Sequence, residues 1–144
     1  NYRLSNVSAG IGCGQMEVLP EHLERRRAIH GLYAEGLKDV AAVEVHNNPS
    51  ADYNSNFWLS TILIDPEKTK VSPDDLRRAL AEENIESRLL WRPMHMQPVY
   101  SENPYYGGNV SEGLFDRGLC LPSGSSLTDA DIARVIDCIK RTLA

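Results

Sequence analysis

The order of apolar and polar positions divides this chain into helices and strands before any single residue is considered. Asn6 to Val18 fits a helix with Ser5 as its N-cap. Pro20 suits the first turn of a second helix running to about Leu37, whose charged stretch "EHLERRR" reads as a solvated face. From Val40 the pattern becomes irregular, and "NNPSADYNSN" (47–56) is a loop by composition. "FWLSTILI" (57–64) reads as a buried strand, stopped by Asp65 and Pro66. "VSPDDL" then announces a helix with Ser72 as N-cap, Pro73 in first position and Asp75 closing a capping box, ending near Asn84. "ESRLLW" reads as a second strand. "SEGLFDRG" predicts a short helix and "LCLP" a few extended residues. The last segment is an amphipathic helix, with Thr128 and Asp131 as its capping box and Ile132, Val135, Ile136 and Ile139 as its core stripe. Helices and strands mix without regular βαβ repetition, which makes the fold class α+β.

Between these elements lies "RLLWRPMHMQPVY" (88–100). Pro93 and Pro98 withhold amide donors and restrain the residues before them, so Arg92 to Tyr100 is a stiff loop. Trp91 offers a flat face, and Arg88, Arg92 and His95 offer donors. That combination suits an oxygen-rich, negatively charged small ligand. It is equally consistent with Trp91 and Met94 as core residues and the arginines as surface charges. The opening "NYRLSN" sets an amide, a phenol and a guanidinium before a helix N-terminus, which suits an anion or simply caps the helix. Gly10, Gly12 and Gly14 are costly inside a helix, at about 1 kcal/mol each against alanine. They point to close approach of another backbone, or to a bend.

Composition narrows the classes. At 144 residues and 42% hydrophobic content, one domain with a real core is expected. A net charge of −5 argues against nucleic-acid binding driven by overall charge. No apolar run is long enough to cross a bilayer. Cys13, Cys120 and Cys138 follow no metal or disulfide spacing and read as reduced thiols of a cytoplasmic protein. His22, His30, His46 and His95 share no metal-ligand spacing, and neither a Gly-x-Ser-x-Gly nor a glycine-rich phosphate loop is present.

Three separated motifs resemble the DegT/StrS family of sugar aminotransferases. "NYRLSNVSAGIGCGQMEVLPEHLERRRAIHGLYAEGL" is similar to the segment opening the family's C-terminal part. "LWRPMHMQPVY" resembles its Pro-x-His-x-Gln-Pro-x-Tyr motif, and "FDRGLCLPSGSSLTDADIARVIDCI" its closing Gly-Leu-x-Leu-Pro and final helix. The resemblance implies the C-terminal small domain, with linking helices, of an aspartate-aminotransferase-like fold that uses pyridoxal 5′-phosphate and works as a homodimer. Residues 1–38 would be linking helices against a large domain or dimer partner, and 39–144 the small α+β domain. It implies that Asn1 and Arg3 reach the cofactor phosphate, and that His95, with Arg88 and Trp91 beside it, lines a sugar-nucleotide pocket.

The family lysine that binds the cofactor lies N-terminal to the Asn-Tyr-Arg motif. Lys38, Lys68, Lys70 and Lys140 match no such position. No catalytic residue is therefore assigned, and the chain is expected to be an inactive part of an enzyme that moves an amino group, from glutamate, to a nucleotide-linked keto sugar for polysaccharide or glycan synthesis. The alternatives are a stand-alone nucleotide-sugar-binding or dimerisation module, or part of a related sugar dehydratase.

Overall fold

A computed structural model describes residues 3–144; the expectation for Asn1 falls outside the described residues. The elements are α1 (Asn6–Leu37), β1 (Val43–Val45), β2 (Ser60–Ile64), α2 (Pro73–Glu82), β3 (Arg88–Leu89), α3 (Val110–Arg117), β4 (Gly118–Leu121) and α4 (Asp129–Leu143). The strands form one antiparallel sheet of order β1-β2-β4-β3, with Ile62 opposite Leu119 and Val45 opposite Ile62. Side chains alternate faces along a strand. Ile62 and Ile64 on β2 and Leu119 and Leu121 on β4 therefore share one face, and helices α1, α2 and α4 cover it. The core joins them to Ile29, Tyr33 and Leu37 of α1, Leu76 and Leu80 of α2, and Ile132, Val135, Ile136 and Ile139 of α4. The α+β architecture and the α4 stripe agree with the sequence pattern.

Both capping boxes form as the sequence specifies. The Ser72 hydroxyl accepts from the Asp75 amide and the Asp75 carboxylate accepts from the Ser72 amide; Thr128 and Asp131 repeat the arrangement. Asn84 takes φ 58°, the left-handed turn that ends α2, a conformation asparagine tolerates.

Four expectations need correction. The first two helices are one, since α1 runs 32 residues with Pro20 inside it. Proline removes one helical hydrogen bond there, but beyond it Ile29, Tyr33 and Leu37 are anchored in the core, and tertiary burial outweighs the local cost. The strand expected over 57–64 starts only at Ser60: Phe57 has φ 45° and its ring stacks on His30 at 3.7 Å, turning the chain away from the sheet. β1 was missed because three residues carry too little pattern, and "ESRLLW" pairs only through Arg88 and Leu89. Within Arg92 to Tyr100 the prolines nucleate two single 3₁₀ turns, at 94–96 and 98–100.

Gly118 is required by space. A Cβ there would meet the Leu114 carbonyl oxygen at 2.6 Å and the Leu90 side chain closer still. Gly118→Ala should therefore cost about 2 kcal/mol by overpacking; a urea midpoint equal to wild type would contradict this contact. A second expectation concerns acid. The Ser72 and Thr128 hydroxyls, then their amides, hold the Asp75 and Asp131 carboxyls below the ordinary range. Depressed carboxyls add stability above their unfolded value, near 3.9, and lose it as pH falls through the folded one. The Asp75→Asn, Asp131→Asn double variant should show a flatter decline in stability between about pH 4 and pH 2. A decline as steep as wild type in pH-dependent urea melts refutes this assignment.

Candidate functional site

The chain segment leaving β3 runs along a cleft of about 550 Å³. Its walls are the β3 segment (Glu86 to Trp91), Trp58 and Leu59, and the stretch from Cys120 to Leu127. Trp58 and Trp91 meet across it with ring centroids 6.1 Å apart and planes inclined by 34°. They are 60% and 67% exposed, so neither is a core residue, and Met94 is exposed as well. Arg88 stands at the rim, ion-paired with Glu86 at 2.6 Å. Burial pushes the Cys120 thiol up, so it lines the floor as a neutral group.

Three adjacent arginines of α1 hold the loops around this cleft, Arg25 and Arg26 through residues that line it. Arg26 Nη1 donates to the carbonyls of Trp58 (2.6 Å) and Ser123 (3.1 Å), two residues that line the cleft. Arg25 donates to the Leu127 carbonyl and pairs with Asp129 at 2.7 Å. Arg27 donates to the Ser55 carbonyl and to Asn54 Oδ1. The stretch expected to be a solvated face is thus a set of struts, because loop carbonyls outside a sheet need donors. One turn on, His30 Nε2 lies 2.7 Å from Asn47 Oδ1. The Asn47 amide donates elsewhere, to Val45 O, so Nε2 of His30 carries the proton. Tyr33 donates to the Pro122 carbonyl at 2.8 Å, and burial pushes its phenol far above its ordinary range.

His95 occupies a second cleft, of about 360 Å³, with Met94, Tyr100, Asn103, Pro104 and Tyr105. Its ring stacks on Tyr105 at 3.9 Å, and Nε2 lies 2.8 Å from Glu112 Oε1. The structure therefore brings Arg88 and Trp91 together and sets His95 apart from them. Arg3 is exposed before α1 and shares no hydrogen bond or ion pair with another described residue. Sequence reasoning missed Trp58, Tyr105 and Glu112. Trp58 was hidden in an apolar run; the other two are joined to His95 only by tertiary structure.

The four lysines all lie at the surface and none lines either cleft. Lys38 pairs with Glu35, and Lys68 with Asp65 at 3.1 Å. An aldehyde cofactor that must condense with a lysine amine does not find one in these clefts, so the described residues do not by themselves fit pyridoxal phosphate. No group of three or more metal-ligating side chains occurs among the described residues. Nor is any helix among them long and apolar enough to cross a membrane.

Residues 1–140 match the model of the DegT/DnrJ/EryC1/StrS aminotransferase family. The chain belongs to this family. It is 45% identical over 141 residues to EpsN of Bacillus subtilis (strain 168), named as a pyridoxal phosphate-dependent aminotransferase; the alignment covers 95% of this chain and 35% of EpsN. It is 33% identical to GDP-perosamine synthase of Escherichia coli O157:H7, covering 96% of this chain and 36% of that protein. Among solved structures, DesI determined in the presence of its TDP-sugar product superimposes with a TM-score of 0.89 at 28% identity (97% and 36% covered). A family aminotransferase from Brucella abortus gives 0.82 at 30% identity (96% and 36%). The chain thus spans about a third of the length of the relatives it matches.

The strut arrangement makes a prediction. Arg26→Ala removes a charged donor from two carbonyls of cleft-lining residues and should cost about 2 kcal/mol. It should also raise the quenchability of Trp58 fluorescence by iodide in a Trp91→Phe background. A variant matching its parent in both stability and quenching would show that the cleft walls are held by something else.

Proposed function

We propose that these residues are the C-terminal part of a pyridoxal phosphate-dependent aminotransferase acting on a nucleotide-linked keto sugar, with glutamate as amino donor. The observation that carries this reading is the division of chemistry within the chain. Aromatic faces and donors line its clefts on the family motifs, while every lysine lies outside them. When bound, pyridoxal phosphate supplies the electron sink for moving the amino group. The amine that anchors it belongs, on this reading, to the rest of the enzyme. This chain's own residues bind and orient. Trp91 and Arg88 hold the planar and anionic portions of the substrate, His95 its sugar, and Asn1 and Arg3 the cofactor phosphate.

The same reading accounts for the front of α1. Leu4, Val7, Ile11, Met16 and Leu19 are exposed, and Gly10, Gly12 and Gly14 have nothing within 4 Å of a built Cβ. Several exposed apolar side chains on one short segment fit an interface. Residues 1–38 would there meet the large domain or the partner of a homodimer.

Two measurements test the proposal. The purified chain treated with pyridoxal phosphate and borohydride should yield no stoichiometric lysine adduct by mass spectrometry; such an adduct would overturn the assignment of the anchoring amine to another region. Titrated with UDP-, dTDP- and GDP-sugars, the chain should bind at least one with a dissociation constant on the order of millimolar, as befits part of a pocket. Binding should be lost in His95→Ala. Silence across the panel, or binding that ignores His95, defeats the sugar-binding role.

A further inference from the structure

His95 is held from two sides by residues that no motif places next to it. Tyr105 stacks on the ring with centroids 3.9 Å apart and planes inclined by 25°. The Tyr105 hydroxyl is itself tied to the Gly108 carbonyl at 2.5 Å. Glu112, in the first turn of α3, places Oε1 at 2.8 Å from Nε2. One turn along the same helix, Phe115 lies under the Arg92 guanidinium at 5.8 Å. Positions three apart share a helix face, so α3 grips the segment 92–95 at two points.

The chemistry of the dyad fixes which nitrogen is free. A carboxylate only accepts, so the nitrogen facing Glu112 carries a proton. In the neutral ring Nδ1 then keeps its lone pair. Nδ1 makes no hydrogen bond to another described residue and is not among the sealed, unpartnered atoms. His95 lines the 360 Å³ cleft, and a ligand hydroxyl there would find in Nδ1 the acceptor that the ring leaves unused.

We propose that Glu112 is a positioning residue. Acting through His95, it fixes the ring's tautomer and orientation so that Nδ1 accepts from a sugar hydroxyl of the nucleotide-linked substrate. A carboxylate behind an imidazole commonly sets the tautomer in this way. The inference rests on the proposed sugar-binding role of His95.

The test uses the 144-residue chain labelled with 15N-histidine, with Glu112→Ala and Glu112→Gln beside wild type. Nuclear magnetic resonance should detect a protected Nε2 proton on His95 in wild type. Exchange of that proton should be at least about tenfold faster in Glu112→Ala, and the Gln variant, whose amide oxygen still accepts, should recover most of the protection. Affinity for the nucleotide sugar should fall roughly tenfold in Glu112→Ala, equivalent to about 1.4 kcal/mol, and largely recover in Glu112→Gln. The amide spectrum of each variant reports folding, and the Gln variant stands in should Ala unfold. If His95→Ala abolishes binding but Glu112→Ala changes neither the proton nor the affinity, the positioning role is wrong and the substrate reading stands. A lost proton with unchanged affinity likewise removes the role. If His95→Ala binds as wild type does, the reading beneath fails and takes this inference with it.

Discussion

Loops that frame a cleft have no ladder to satisfy their carbonyls, and here three consecutive guanidiniums on one helix do so. Arg25, Arg26 and Arg27 reach the segments 54–58 and 123–129 at seven contacts to carbonyls and side-chain oxygens. Arg26 ties together the two neighbouring stretches that precede β2 and follow β4, through the carbonyls of Trp58 and Ser123, both of which line the cleft. Both acceptors share Nη1, whose two N–H groups are fixed in the guanidinium plane. The backbone of Trp58, whose indole faces Trp91, is held at its carbonyl by Arg26 and at its amide by Asn56 Oδ1. The cleft's shape thus depends on a helix whose charged turn contributes nothing to its lining.

That dependence marks how far the sequence was legible. Local signals were sufficient wherever a motif closes within four residues: the boxes at Ser72–Asp75 and Thr128–Asp131 and the stripe of α4 all form as read. They failed where the deciding partner is distant. "ERRR" has the composition of a solvated face, and nothing nearby reveals that its partners lie 27 to 104 positions on. "FWLSTILI" reads as one apolar run, but its first three residues obey a loop geometry set by Phe57 against His30. Pro20 looks the same whether a helix begins at it or passes through it, and burial of Ile29, Tyr33 and Leu37 beyond it decides. The motif around His95 was visible, but its carboxylate partner lies seventeen residues away.

Arg88 to Tyr100 forms one mechanical unit. It leaves the sheet at Leu89, exposes Trp91 to one cleft, passes Arg92 over Phe115 and delivers His95 to the next. Its prolines start short turns rather than leaving it shapeless, which keeps few backbone states open. Two clefts on one stiff segment keep their spacing, because the same short turns that set Trp91 beside one set His95 in the other.

The two halves of α1 differ for the same reason. From Ile29 onward its apolar side chains complete the core against α4, with Gly36 admitting Ile136 closely. Before Pro20 its apolar side chains face outward. A helix stable only by propensity would not be expected to carry three glycines in its first three turns, each costing about 1 kcal/mol. Exposed apolar residues beside glycines describe a surface shaped for close backbone approach, and on the proposed reading the rest of the enzyme meets it there. The struts at Arg25–Arg27 sit at the junction of these halves. One helix thus carries three surfaces in sequence: an outward apolar half, a turn of guanidiniums that holds loop carbonyls, and a half sealed in the core.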